Sequence, residues 1–198
     1  MGIFADQLKN SAADMDGMAA WLDGLDHKTR VEEVRSLGPA AQKRLWILAE
    51  SSRMTIKDMM PEDTAALKPV RHYGRNTLPV FKHFEKRFCW APEGAEPAGI
   101  WGYNEGSTRS FVGPGYFVCR PTTGSECDIA DVVIDYTILP TGKPDTWPDI
   151  RPNEKGVSRF VYAGMQDFMR KVSAHVTIGR AYRHGKISNN YFVLCRED

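Results

Sequence analysis

Val132 to Leu139 reads VVIDYTIL, a run of β-branched and aromatic residues stopped by Pro140. Such side chains fit a pleated, half-buried surface, so this stretch anchors a β-sheet. Working outward, Gly115 to Arg120 (GYFVCR) follows a Gly-Pro-Gly turn, and Ile100 to Asn104 is a short strand bounded by glycines. Phe84 to Trp90 is read as a further strand, because Phe84, Lys86 and Phe88 alternate, although Phe81, Phe84 and Phe88 also match helical spacing. Downstream, Val157 to Tyr162 reads as extended and Met165 to Val172 as a short helix with Phe168, Met169 and Val172 on one side. Ala174, Val176, Ile178 and Tyr182 mark a half-buried strand. His184-Gly185-Lys186 then turns the chain into a last strand, Tyr191 to Cys195, that is apolar on both faces.

The first third has a different period. Met15, Met18, Ala19, Leu22 and Leu25 recur at helical spacing. Asp26 is placed to cap a second helix carrying Val31, Val34 and Leu37, which Gly38 closes as a C′ glycine. Pro39 suits the first position of a third helix bearing Leu45, Trp46, Leu48 and Ala49, and Thr55 with Asp58 forms a weak capping box. These helices are short and only moderately apolar, so they are expected to pack on something else. The expected fold is α+β: a helical segment over residues 1–60, a proline-broken connector over 61–79, and a β-rich domain over 80–198. The helices pack on a curved, mostly antiparallel sheet or partial barrel, in one compact unit.

Composition narrows the function. The chain has 198 residues, with Lys+Arg 26 against Asp+Glu 25, so no polyanion partner such as nucleic acid is expected. The N-terminus lacks the basic-then-apolar pattern of a secretion signal, and no apolar window approaches the roughly 18 residues of a membrane span. The expectation is therefore a cytoplasmic protein with no membrane partner, whose Cys89, Cys119, Cys127 and Cys195 are reduced and mostly buried. Phosphate-loop, dinucleotide, zinc-hydrolase, C-x-x-C and G-x-S-x-G signatures are absent, and no motif identifies a cofactor. His83, Glu85 and Cys89 share one face of their strand, but Lys82, Lys86 and Arg87 are interleaved with them, so this is read as a solvated edge and not as a metal site.

Gly99-Ile100-Trp101 is a G-x-W at the start of a strand, and Arg196 stands near the end of the last one. This resembles the signature of the lipocalin and calycin barrels. The resemblance covers residues 99–198. It implies a closed antiparallel barrel with an internal pocket for a small apolar ligand or a haem, and a Trp packed under the barrel floor beside the basic residue. About six strands are read here, against the eight of such a barrel.

The residues themselves point to an aromatic pocket. Trp101, Tyr103 and Tyr116 stand beside glycines, where a backbone can approach a ligand, and Trp147 lies in a long proline-rich loop where a bulky aromatic must cover something. The leading reading is a non-catalytic small-molecule-binding protein using Trp101, Tyr103, Tyr116, Trp147 and His175. One alternative is an enzyme on a small anionic substrate, with His175 as base and Arg159 or Arg180 binding the anion. Another is an interaction module docking a protein partner through the Leu45–Trp46 face of the helices.

Overall fold

A computed structural model describes residues 2–10, 14–79, 82–107 and 109–198. Phe81, whose spacing from Phe84 and Phe88 competes with the strand reading, lies outside them. Four helices lead the chain: α1 (Ile3–Gln7), α2 (Met15–Asp23), α3 (His27–Ser36) and α4 (Pro39–Leu48). Asp26 caps α3, accepting from the Thr29 backbone at 3.0 Å, and Pro39 opens α4. Gly38 is extended, with φ −76° and ψ 175°, so α3 ends without a left-handed glycine and Gly38 instead precedes α4.

Eight strands follow: β1 (Val70–Asn76), β2 (His83–Trp90), β3 (Ile100–Glu105), β4 (Phe117–Pro121), β5 (Val132–Asp135), β6 (Met165–Lys171), β7 (Val176–Arg183) and β8 (Lys186–Arg196). Each pairs antiparallel with the next, and β8 returns to β1, closing the barrel. Two strands were not legible beforehand. β1 lies inside the stretch read as a connector, and β6 occupies the stretch read as a helix. Conversely, Ser158–Val161, read as extended, is a short helix, and another covers Arg109–Val112. In chain order these are α5 (Arg109–Val112) and α6 (Ser158–Val161).

The helices cover one outer wall. Phe4, Leu22, Val34, Leu45 and Trp46 pack with Val176, Ile178, Tyr191, Val193 and Cys195 from the outward faces of β7 and β8. Each fully buried large side chain there contributes about 1.5–3 kcal/mol of burial. Leu45 and Trp46 are 0% and 4% exposed, so the helical face expected to meet a partner is occupied by the barrel itself. No helix among the described residues is long and apolar enough to cross a membrane.

Three glycines let aromatic rings fill the lumen. Gly74, Gly102 and Gly179 stand directly opposite Phe84, Phe117 and Phe192 on the neighbouring strands. In each case a Cβ would overlap the phenylalanine ring. Below these rings the lumen is packed by Phe88, Ile100, Cys119, Ile134, Met169 and Leu194, and Met54, Met59 and Met60 join the same cluster. His72 belongs to this layer and bonds the Met59 carbonyl through Nε2 at 2.9 Å. One end of the barrel is thus plugged. The other remains open.

The barrel is the closed antiparallel form that the lipocalin resemblance implies, but the floor packing is not. Trp101 projects from the outer face of β3 and donates Nε1–H to the Pro97 carbonyl at 2.9 Å. Arg196, paired opposite His72, donates to the Ala174 carbonyl at 2.9 Å. Of the cysteines, Cys89, Cys119 and Cys195 are buried, Cys127 is exposed and all four are free.

Candidate functional site

The open end holds a cavity of about 570 Å³, within the range of about 300–1,000 Å³ that accepts a drug-sized molecule. Its walls are largely apolar: Phe84, Phe192, Tyr162, Tyr182, Met165 and Val112. Alternation along the strands sets this lining, because even-numbered residues of β2 and odd-numbered residues of β6 point inward. The same rule places Lys86 between Phe84 and Phe88, and Asp167 between Met165 and Met169.

Lys86 on β2 and Asp167 on β6 are 2% and 3% exposed. Lys86 Nζ lies 3.3 Å from Asp167 Oδ2 and 2.9 Å from Asn104 Oδ1, and also donates to the Tyr136 hydroxyl. Three oxygen acceptors match the three protons of an ammonium, so the pair is held as Lys86 cation and Asp167 anion. The rings of Phe84, Phe117, Tyr136 and Phe192 surround the same nitrogen, with centroids 5.0–5.7 Å away. Burial pulls the Lys86 pKa down and pushes the Asp167 pKa up, and the mutual attraction of the two opposes both shifts.

Asn104 donates Nδ2–H to Tyr136 Oη and to the Gly115 carbonyl, both at 3.1 Å, which locks the floor of the cavity. Tyr136 stacks on Tyr162, with centroids 5.4 Å apart and planes at 9°. Burial drives the Tyr136 phenol well above its usual pKa and the Tyr162 phenol to about 12, so both stay protonated. Every polar group of Lys86, Asn104 and Tyr136 is thus engaged. On Asp167, Oδ2 carries the Lys86 and Tyr136 bonds, whereas Oδ1 has no hydrogen-bond partner among the described residues. Asp167 lines the cavity, and its unpartnered Oδ1 is not sealed off from that space. It is the acceptor the floor offers.

The residues singled out from sequence lie elsewhere. Tyr103, Tyr116 and Trp147 do come together, with Tyr103 centroids 5.5 Å from Tyr116 and 4.9 Å from Trp147, and Trp101 joins them. They form a packed cluster on the outer wall of β3 and β4, where Trp147 in the proline loop covers the two tyrosines. His175 sits in the turn before β7, at the plugged end, with Nδ1 3.2 Å from Asp198 Oδ1. Arg180 is on β7, its guanidinium carbon 5.0 Å from the centroid of the Tyr191 ring. At about 3.3 Å per residue, Val176 and Arg180 are about 13 Å apart. Arg159 is on α6 at the open end, its guanidinium over Phe160 at 4.7 Å. His175, Arg159 and Arg180 therefore do not converge on one substrate, and none of these seven residues lines the cavity.

Sequence reasoning missed Lys86, Asp167, Asn104 and Tyr136. For Lys86 a signal existed, since alternation set it on the face of Phe84 and Phe88. His83 and Glu85 do share the outward face with Cys89. Glu85, however, pairs with Arg87 at 2.6 Å, and no metal-holding group of His, Cys, Asp and Glu occurs among the described residues. No protein-family model, curated protein or solved structure matches the chain.

Proposed function

We propose that this protein binds an elongated amphipathic small molecule in the open end of the barrel, with an apolar body between the aromatic walls and a hydroxyl at Asp167. The observation that carries this reading is the free Oδ1 of a buried carboxylate at the floor of an apolar chamber. Oδ1 accepts a hydrogen bond and gives none, so it selects a donor. The Lys86–Asp167 pair is already neutral overall. A hydroxyl adds no charge to the chamber, whereas a ligand carboxylate would face Oδ1 with like charge in a desolvated site.

The reading is tested by mass spectrometry of natively purified protein, followed by binding of matched chains that differ only in the head. A co-purifying or added long-chain alcohol is expected to raise the melting temperature, and the carboxylate of equal length to bind about tenfold or more weakly. Equal or tighter binding of the carboxylate would sink the assignment of Asp167. No co-purifying molecule, together with no melting shift from any amphiphile, would remove the ligand reading altogether.

A further inference from the structure

Among the described residues, eight large apolar side chains are exposed, and six of them, Leu78, Phe111, Val157, Phe160, Val161 and Ile187, lie in the chain segments at the open end. Only Ile3 and Ile47, on the helical layer, lie elsewhere. Phe111 and Phe160 are 76% and 64% exposed, which in water is costly for a phenylalanine. The segments bearing them are tied together. Ser158 Oγ donates to the Val112 carbonyl at 2.6 Å, joining α5 to α6. Arg183 donates to the Arg159 and Phe160 carbonyls, both at 2.8 Å, joining α6 to the β7–β8 hairpin, on which Ile187 stands opposite Tyr182. The rim is therefore one surface.

Charge is segregated on it as well. The rim segments carry the cations Lys82, Arg109, Lys155, Arg159, Arg183 and Lys186 against the carboxylates Glu105 and Glu154. That is a net +4 at one end of a molecule whose total is +1. A second copy of this chain would bring the same +4 against it, which disfavours self-association through the rim. Nucleic acid would reward the cations but not the exposed Leu, Val and Ile. A surface that rewards both, apolar tips below and anionic groups at the level of the cations, is the face of an acidic bilayer.

We infer that the open end of the barrel docks on anionic lipid membranes, seating Phe111, Phe160 and Ile187 at the headgroup–acyl boundary, with Arg159, Arg183 and Lys186 among the headgroups. The sequence expectation of no membrane partner rested on the lack of a spanning segment, and docking needs none. This inference stands without the ligand reading. If both hold, the cavity opens directly onto the lipid, and an apolar ligand enters without crossing water.

The test is partition of the purified protein, with no ligand added, onto sucrose-loaded vesicles of phosphatidylcholine alone and of phosphatidylcholine with a quarter phosphatidylserine. Partition onto the anionic vesicles is expected to be about tenfold higher and to fall in high salt. Phe111→Asp with Ile187→Asp, neither of which lines the cavity, is expected to lower it by a similar factor while melting stays unchanged, and Arg159→Glu with Lys186→Glu is expected to do the same. Equal partition onto the two vesicles overturns the proposal, as does a Phe111→Asp/Ile187→Asp variant that is folded and binds like the wild type. Partition onto neither vesicle overturns it too, and leaves the rim as a face for a protein partner. Because the readout is the vesicle pellet, failure here leaves the alcohol and carboxylate measurements untouched.

Discussion

Lys86 Nζ and Asp167 Oδ2 meet 3.3 Å apart from strands that lie four places from each other around an eight-stranded ring, so the pair bridges opposite walls of the barrel. Both charges are almost wholly withdrawn from water, and only Asp167 Oδ1 faces the cavity. Removing one partner leaves the other buried and unpaired, whereas removing both leaves a chamber that is merely more apolar.

Lys86→Met is therefore expected to destabilise the fold by about 3–5 kcal/mol, and Asp167→Leu by a similar amount. The double variant should lose clearly less than the sum. Denaturant titration of the four proteins reads the coupling directly. Additive losses would show that the two charges do not depend on each other.

His72 gives a pH dependence of defined sign. It is fully buried against Phe88, and its Nε2 faces the Met59 carbonyl, so Nε2 carries the proton and Nδ1 is bare. Burial lowers its pKa from 6.5 to about 3. The unfolded chain takes up the proton first, so this contribution is complete above pH 6.5 and is lost as the pH falls from there towards 3. The slope is about 1.4 kcal/mol per pH unit. His72→Gln keeps a donor for Met59 and removes the titration. Its stability is expected to vary less between pH 6.5 and 4.5 than that of the wild type, measured by urea unfolding.

Gly102 is required by two neighbours at once, since a Cβ there would overlap the Phe117 ring and the Arg87 carbonyl. The ring has some freedom; the carbonyl belongs to the β2–β3 ladder and has none. Gly102→Ala is expected to cost about 1–3 kcal/mol. At Gly38 nothing lies within 4 Å of where a Cβ would stand and φ is ordinary, so Gly38→Ala meets no clash and should cost under about 1 kcal/mol, the preference for Gly over Ala at a helix N-cap. Thermal unfolding of the two variants, run side by side, checks the contrast.

Legibility in the sequence followed burial. The helical third and its N-terminal signals at Asp26, Pro39 and Thr55 are readable because one face of each helix is wet, which preserves the period, whereas the C′ role expected of Gly38 is not found. The Val132 to Leu139 run and the last strand are readable from β-branched and apolar density, although β5 stops at Asp135 and the chain turns at Tyr136. β6 was read as a helix because both its faces are covered: Asp167 and Met169 point into the lumen, and Phe168 packs in the cluster shared with the helices. With no solvated side, the alternation vanishes. β1 was hidden by Gly74, a weak strand former that is present because Phe84 needs its space. The floor of the cavity was hardest to see. A lysine between Glu85 and Arg87 looks solvated until a closed barrel turns it inward, and nothing local marks Asp167 as its partner.

The outer aromatic cluster has a separate prediction. Trp147 is 6% exposed over Tyr103 and Tyr116, so Trp147→Ala should cost about 3–5 kcal/mol through the cavity it leaves. Because that cluster lies outside the barrel wall, the variant should bind a cavity ligand like the wild type at temperatures where it is folded. A selective loss of binding without loss of stability would return the site to Trp147.

The central claim is that the open end of the barrel holds the ligand, and Ala181 tests it most directly. Its small side chain lines the cavity, and Ala181→Trp is designed to fill that space from the wall. Binding of a long-chain alcohol, read by displacement of an apolar fluorophore, is expected for the wild type and expected to fall at least about tenfold in a folded Ala181→Trp variant. Equal displacement in the two proteins would contradict the account and place the ligand elsewhere.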